Sequence, residues 1–305
     1  MNICIILGEY NTLNAGCIKE IKQAKRICKP DLTCILLNKN IKNNGDFLYS
    51  NQVNLTNEAV DNGADLVLTM PSLFTLCKKE IYSLVILKIL NLFGANNTFN
   101  LICPVYSEDM EDIEMAQDMI HSENNDGFLV GNSVFNVHKT ETTEKADISN
   151  MLTGISNEIL AETYYKAKQA NLDVNLIPIL KCDLEEDTEQ IIDYNKYNLL
   201  TKTIISQTKP EEVKKHLEYI EDKDNPESTA KKIGIPLLLH LDIDKKGIIE
   251  KIINLDCIEL LAFKNNKKKY LNKNVFIDNI STSRNLLDLD AIDKKILELI
   301  NLIKR

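Results

Sequence analysis

The 305-residue sequence has no tryptophan, ten glycines, seven prolines, and only three arginines (Arg26, Arg284 and Arg305) among 36 basic side chains. Scarce arginine matters because the guanidinium fork grips phosphate through two parallel hydrogen bonds, whereas lysine offers a mobile point charge. A formal net charge of −9 excludes broad nonspecific attraction to DNA or to an anionic membrane. No apolar run reaches the roughly 18 residues of a membrane span. The short apolar start leads straight into a folding pattern, so no secretory signal is expected. None of the eight cysteines lies three positions from another, which removes zinc-knuckle spacing. His121, His138, His216 and His240 lack H-x-x-E-H or H-x-x-x-H partners, and no metal site is expected. Thiols placed in apolar strands fit a reducing cytoplasm.

The chain does have enough apolar residues to bury a core, at 44% hydrophobic against 27% charged. Its most informative stretch is Ile3 to Lys25, an apolar strand, a polar turn and an amphipathic helix in succession. A strand running into a helix N-terminus is where α/β proteins hold anions, since free N–H groups and the helix dipole both favour negative charge.

Alternation then continues. Strands are expected at 3–8, 32–37, 64–69 and 99–103, with helices at 16–29, 53–62, 81–93 and 108–122 between and after them. This pattern predicts an α/β, Rossmann-like doubly wound parallel sheet with right-handed crossovers, whose ligands bind outside the carboxyl ends of the strands. Polar loops follow over 124–150, then a helix at 157–170 and a strand at 173–180. The acidic run 183–189 reads as a solvated linker. Helices are expected at 196–206, 210–220, 227–233, 246–253 and 288–303, with a last strand at 274–278. Two domains are therefore expected: 1–190, the Rossmann-like unit, and 191–305, smaller and mostly helical.

The segment Gly8-Glu-Tyr-Asn-Thr-Leu-Asn-Ala-Gly-Cys17 resembles the turn of the bacterial tRNA(Met) cytidine acetate ligases, a nucleotidyltransferase-like family that reads E-Y-N-P-F-H-N-G-H there. Glu9, Tyr10, Asn11 and Gly16 match. Asn14 and Cys17 stand at the two histidine positions and Thr12 at the proline. Further along, Asn62 to Pro71 is similar to the family's N-G-V-D-L-V-x-E-L-P, Ser156 to Lys166 to its P-N-N-I-L-x-x-E-Y-L-K, and Leu260 to Lys264 to its L-G-F-N segment. The resemblance runs almost end to end, with a deletion in the second half. Other basic positions of the family are altered here. Its S-G-N-F-V-Q-R-G corresponds to Asn38-Lys-Asn-Ile-Lys-Asn-Asn-Gly45, a helical arginine to Leu55, F-G-S-E to Val105–Glu108, and a late basic pair to Lys181-Cys182.

The resemblance implies activation of acetate by ATP, with Mg²⁺, to acetyl-adenylate, followed by acetyl transfer to a tRNA cytidine. It implies an adenylate-binding turn of Leu7, Gly8, Glu9, Tyr10, Asn11, Asn14, Gly16 and Cys17, with Asn157 and Lys181 nearby. Asn14 and Cys17 carry no positive charge, so the donors that would steady charge developing at the α-phosphorus are weakened together. Lys39, Lys42 and Lys181 are candidates to replace them. The basic run Phe263 to Tyr270 is a candidate RNA contact. Two function classes follow: an acyl-adenylate-forming enzyme acting on tRNA, and a catalytically inactive relative retained as a binding or scaffold module. A nucleotidyltransferase for another small substrate is a third.

Overall fold

The structure, a computed structural model, describes residues 1–49, 52–105, 129–130, 133–134, 155–181, 192–221, 225–254, 259–264 and 289–304. Strand and helix alternate from the start: β1 (Asn2–Gly8), α1 (Ala15–Cys28), β2 (Leu32–Asn38), α2 (Gln52–Asp61), β3 (Leu66–Met70), α3 (Ser72–Leu76), α4 (Lys79–Phe93) and β4 (Thr98–Val105). A two-residue antiparallel pair follows, β5 (Leu129–Val130) with β6 (Ser133–Val134). Next come α5 (Ile155–Gln169) and β7 (Asp173–Leu180). The remaining elements are α6 (Tyr194–Gln207), α7 (Pro210–Ile220), α8 (Pro226–Leu238), α9 (Lys245–Asn254), β8 (Glu259–Phe263) and α10 (Leu289–Ile303).

The main sheet has the order β7-β4-β1-β2-β3-β8. Its first five strands are parallel and β8 is antiparallel to β3. Parallel strands covered on both faces must be apolar nearly throughout, and β2 (Leu-Thr-Cys-Ile-Leu-Leu-Asn) is buried along its whole length. Alternate residues feed two cores. Cys4, Ile6, Ile35, Leu37, Val67 and Ile102 pack under Ile21 and Ala24 of α1 and Leu55 and Ala59 of α2. Ile3, Ile5, Cys34, Leu36, Leu68, Leu101 and Leu176 face α4 and α5, and that core continues into Tyr197, Ile233, Ile248, Ile296 and Ile300 of the later helices. Among the described residues, no helix is long and apolar enough to cross a membrane.

The expected helices that fall on described residues appear, most within two residues at each end. Two differences have physical causes. The third strand starts at Leu66 rather than Ala64, because the Ala64 N–H closes onto Ala59 O at 2.9 Å after the Gly63 turn, where φ is +123°. The helix expected at 227–233 runs on to Leu238 through Pro236. Residues Ile233 to Leu237 are all buried there, and that burial offsets the roughly 3 kcal/mol cost of an internal proline. Neither α3 nor β8 is apparent from sequence periodicity. The helix expected at 108–122, the strand at 274–278, the run 183–189 and, apart from the β5–β6 residues, the loops of 124–150 lie outside the described residues.

His216 of α7 is 5% exposed, and its Nδ1 lies 2.7 Å from the Tyr219 hydroxyl. Burial, then the neighbouring Lys215 charge, push its pKa below the usual value, with Asp242 and Glu212 pulling the other way. The unfolded chain therefore takes up this proton first. The His216 contribution is complete above about pH 6.5 and is lost as pH falls below it. The urea midpoint should drop between about pH 7 and 5.5, and drop less in His216→Gln. Equal drops in the two proteins would refute this.

Candidate functional site

The chain lays β1, β2 and β3 side by side in one direction, then crosses back to place β4 and β7 on the other side of β1. The order thus reverses between β1 and β4. In doubly wound sheets the ligand crevice lies at such a reversal, outside the carboxyl ends of the strands. Here that crevice is bounded by Gly8 at the end of β1, by Pro104 and Val105 at the end of β4, and by the first turn of α5.

The β1–α1 turn is tightly built. Leu7 and Gly8 pair with Leu36 and Leu37 of β2. A Cβ on Gly8 would lie 2.6 Å from Leu37 Cδ2 and 2.8 Å from Tyr10 Cε2, so the Tyr10 ring and β2 leave room for hydrogen alone. Burial, followed by the charge of Glu20, raises the Tyr10 pKa well above its usual value and keeps the phenol protonated. Asn11 is buried, and its Oδ1 accepts from the Tyr49 N–H at 3.0 Å, which ties the turn to the loop after β2. Asn14 is the N-cap of α1, with φ −69° and ψ 174°, and its Oδ1 accepts from the Cys17 N–H at 3.0 Å. One helical N–H that an anion could otherwise use is thereby occupied by a side chain. Gly16 is buried in the first helical turn. The Cys17 Sγ lies 4.0 Å from Thr12 O.

Glu9 is the hub. Its Oε1 accepts from Asn38 Nδ2 at 3.1 Å and from the Asn43 N–H, and its Oε2 accepts from the Ser156 hydroxyl at 2.8 Å. Asn43 Nδ2 donates to Ser156 Oγ at 3.2 Å, and the Tyr82 hydroxyl donates to Asn38 Oδ1 at 2.7 Å. Burial, then the Glu9 charge, holds the Tyr82 pKa well above normal, so it remains a donor. One carboxylate thus joins β1, β2, the 38–47 loop and the start of α5. Beside it, Asn157 Nδ2 donates to Pro104 O at 2.8 Å. The Lys181 N–H donates to Val105 O at 2.8 Å, which sets Lys181 at the same edge of the sheet.

The candidate residues therefore meet along one edge, with Glu9 and the start of α5 joined directly. Sequence reasoning passed over Asn38, Asn43, Tyr82 and Ser156 as site residues. Three of these lie within segments compared with the family, and the signal available was the run of amide and hydroxyl side chains at strand and helix ends. Of the lysine candidates, Lys39 Nζ is 3.2 Å from Asp293 of α10. Lys42 is half-buried in the loop after β2. Leu55 is buried in α2, and of the basic run only Phe263 and Lys264 are described. No group of three or more metal-binding side chains exists among the described residues.

The family model for the HIGH nucleotidyl transferases matches residues 1–192. The chain belongs to the HIGH nucleotidyl transferase family. Among curated relatives, a tRNA(Met) cytidine acetate ligase of Clostridium acetobutylicum is 24% identical over 174 residues, covering 53% of this chain and 42% of that protein. The enzyme of the same description from Clostridium botulinum (strain Hall) is 29% identical over 119 residues, 39% of this chain and 28% of that one. The matched region spans less than half the length of these relatives. A crystal structure of Thermotoga maritima TmcAL bound with alpha-thio ATP superposes with a TM-score of 0.60 at 13% identity, over 99% of this chain and 92% of that one. The apo TmcAL structure gives a TM-score of 0.59 at 12% identity. This HIGH nucleotidyl transferase is thus a divergent relative that keeps the Rossmann-like α/β fold, with a helical C-terminal region. Within it, the positions that resemble the family's two motif histidines are the N-cap amide of Asn14 and the thiol of Cys17.

Proposed function

We propose that the crevice between the carboxyl ends of β1 and β4 binds ATP, and that the protein is a divergent counterpart of the tRNA(Met) cytidine acetate ligases. The family reaction would couple acetate and ATP into acetyl-adenylate, releasing pyrophosphate, and pass the acetyl group to a tRNA cytidine. The observation that carries the reading is the turn itself. It stands at the topological reversal of the sheet, it excludes even a methyl group at Gly8, and it leads into a capped helix. A strand that turns this tightly into a helix N-terminus aims backbone N–H groups and the helix dipole at a bound phosphate. Gly8 and Gly16 would admit the nucleotide, Asn14 would donate through its amide nitrogen, and Asn157 and Lys181 would bound the far side. Any Mg²⁺ would come with the phosphates rather than be held by a carboxylate cluster. A cytoplasmic setting and the division of the chain near residue 190 belong to the same reading.

A specific observation favours a second reading, binding without turnover. Lys39 is paired with Asp293, so a cation that could meet developing charge is engaged within the protein, and the neutral amide of Asn14 and thiol of Cys17 are weak substitutes for it. Each missing preorganised donor costs about 3 kcal/mol of transition-state stabilisation. Titration calorimetry with ATP, with and without Mg²⁺, separates the outcomes. Micromolar binding that disappears in Gly16→Trp is expected, followed by a test for acetate-dependent AMP release. Binding without AMP release supports the second reading. No heat at millimolar ATP would sink both.

A further inference from the structure

Apart from the turn at residues 8–17, the carboxyl ends of β2 and β3 gather donors around one point. Lys39 and Asn40 follow β2 directly, and Ser72 comes two residues after β3. The local chain fixes all three. The Lys39 N–H donates to Met70 O at 3.1 Å, and Gln52 Nε2 donates to Lys39 O at 3.1 Å. Asn40 O accepts from the Leu48 N–H at 2.8 Å, and Asn40 Nδ2 donates to Ser72 Oγ at 3.2 Å. Ser72 is fully buried. An ammonium, an amide N–H₂ and a backbone N–H held together in this way suit a small anion.

The negative charge arrives from the far end of the chain. Asp293 of α10 lies 221 positions from Ser72 and 253 from Asn40, and it is 4% exposed. Its Oδ1 accepts from the Ser72 N–H at 3.1 Å and from Asn40 Nδ2 at 3.4 Å, and its Oδ2 lies 3.2 Å from Lys39 Nζ. A carboxylate withdrawn from water is costly unless it is both paired and hydrogen-bonded, and this one meets both conditions. Attachment of α10 has a separate basis, since Ile292, Ile296, Leu299, Ile300 and Ile303 of the same helix are buried in the core. The carboxylate is left the narrower task of filling the pocket. Asn38, next to Lys39, donates to Glu9, so the pocket sits at the root of the 38–47 loop.

We propose that Lys39, Asn40 and Ser72 form a binding pocket for a small carboxylate, that Asp293 is its built-in ligand, and that this seated anion positions the root of the 38–47 loop. Emptied of that side chain, the pocket takes a free carboxylate of the same size. It does so independently of what the nucleotide crevice binds.

Urea midpoints of the full chain, read by circular dichroism in about 200 mM sodium formate and in equal sodium chloride, test the proposal. Asp293→Ala removes the carboxylate and leaves a space that formate fills, and in chloride its midpoint should fall. Formate should recover about a third or more of that fall, leave the wild type unmoved, and fail to help Asp293→Ala combined with Lys39→Met. Equal Asp293→Ala midpoints in formate and chloride overturn the proposal. An equal formate effect on all three proteins is a solvent effect and overturns it too. Asp293→Asn keeps the size and an acceptor but not the charge, and it covers the case in which Asp293→Ala does not fold. Its midpoint loss should shrink at least about twofold in a Lys39→Met background. An undiminished loss would show that Lys39 does not sense the charge, and the proposal falls equally.

Discussion

Gly234→Val is expected to destabilise the folded chain by about 3 kcal/mol or more. A Cβ at this position of α8 would stand 2.2 Å from Thr201 Cγ2, 2.6 Å from its Cβ and 3.2 Å from its Cα on α6. Rotating Thr201 relieves the first contact only. The others require the two helices to separate, and both are fastened to the core by Tyr197 and Ile233. Removing the Thr201 side-chain termini as well, in Gly234→Ala with Thr201→Ala, should recover part of the loss and no more. The effect should reach the crevice. Lys231, three residues before Gly234, pairs with Asp46 of the 38–47 loop at 3.0 Å, and its carbonyl accepts from the Tyr197 hydroxyl at 2.7 Å. Urea denaturation followed by circular dichroism measures the change. A midpoint that implies less than about 0.5 kcal/mol would show that the helices yield freely.

Glu9 should divide sharply between two substitutions. In Glu9→Ala, the Asn43 N–H and the Ser156 hydroxyl lose their acceptor, and Asn38 Nδ2 keeps only Asn43 Oδ1 at 3.2 Å. A buried donor left unsatisfied costs about 1–3 kcal/mol, and water can reach this half-buried site, so a total near 3 kcal/mol is expected. Glu9→Gln keeps one oxygen for the Asn38 and Asn43 donors, and its new N–H₂ can donate to Ser156 Oγ, so a loss of about 1 kcal/mol should result. The same ordering should appear in ATP affinity, because the network fixes the 38–47 loop and the start of α5 against the β1–α1 turn. Equal losses from Ala and Gln would mean that the side chain's volume, rather than its acceptors, matters.

The two predictions sit on different links between sequence and structure. The alternation of strands and helices up to residue 105, and the positions of α5 and β7, were readable because each apolar run has the length and period of its element. The turn at residues 8–17 stood out for the same reason, as the one place where a buried strand meets an amphipathic helix with glycines at both ends. The site's connecting network was not readable. Asn38, Asn43 and Ser156 are ordinary turn and cap residues in one dimension, and their sequence distance from Glu9 reaches 147 positions. Gly234 was equally silent, since a glycine inside a helix shows its purpose only when the crossing helix is in place. The strand β8 escaped because an antiparallel edge strand of five residues, Glu-Leu-Leu-Ala-Phe, carries too short a pattern to declare its partner.

The sequence by itself determined the doubly wound layout, since period and length decide which runs are strand and which are helix, and right-handed crossovers leave few ways to wind them. It also marked the family, through short motifs in fixed order. Only the tertiary structure decided how the site is wired: that Asn14 serves as a helix cap, that Lys39 answers to Asp293, and that a single carboxylate gathers donors from three segments. Those outcomes depend on which polar atoms are brought within about 3 Å after the core has packed, and a linear sequence does not contain that distance.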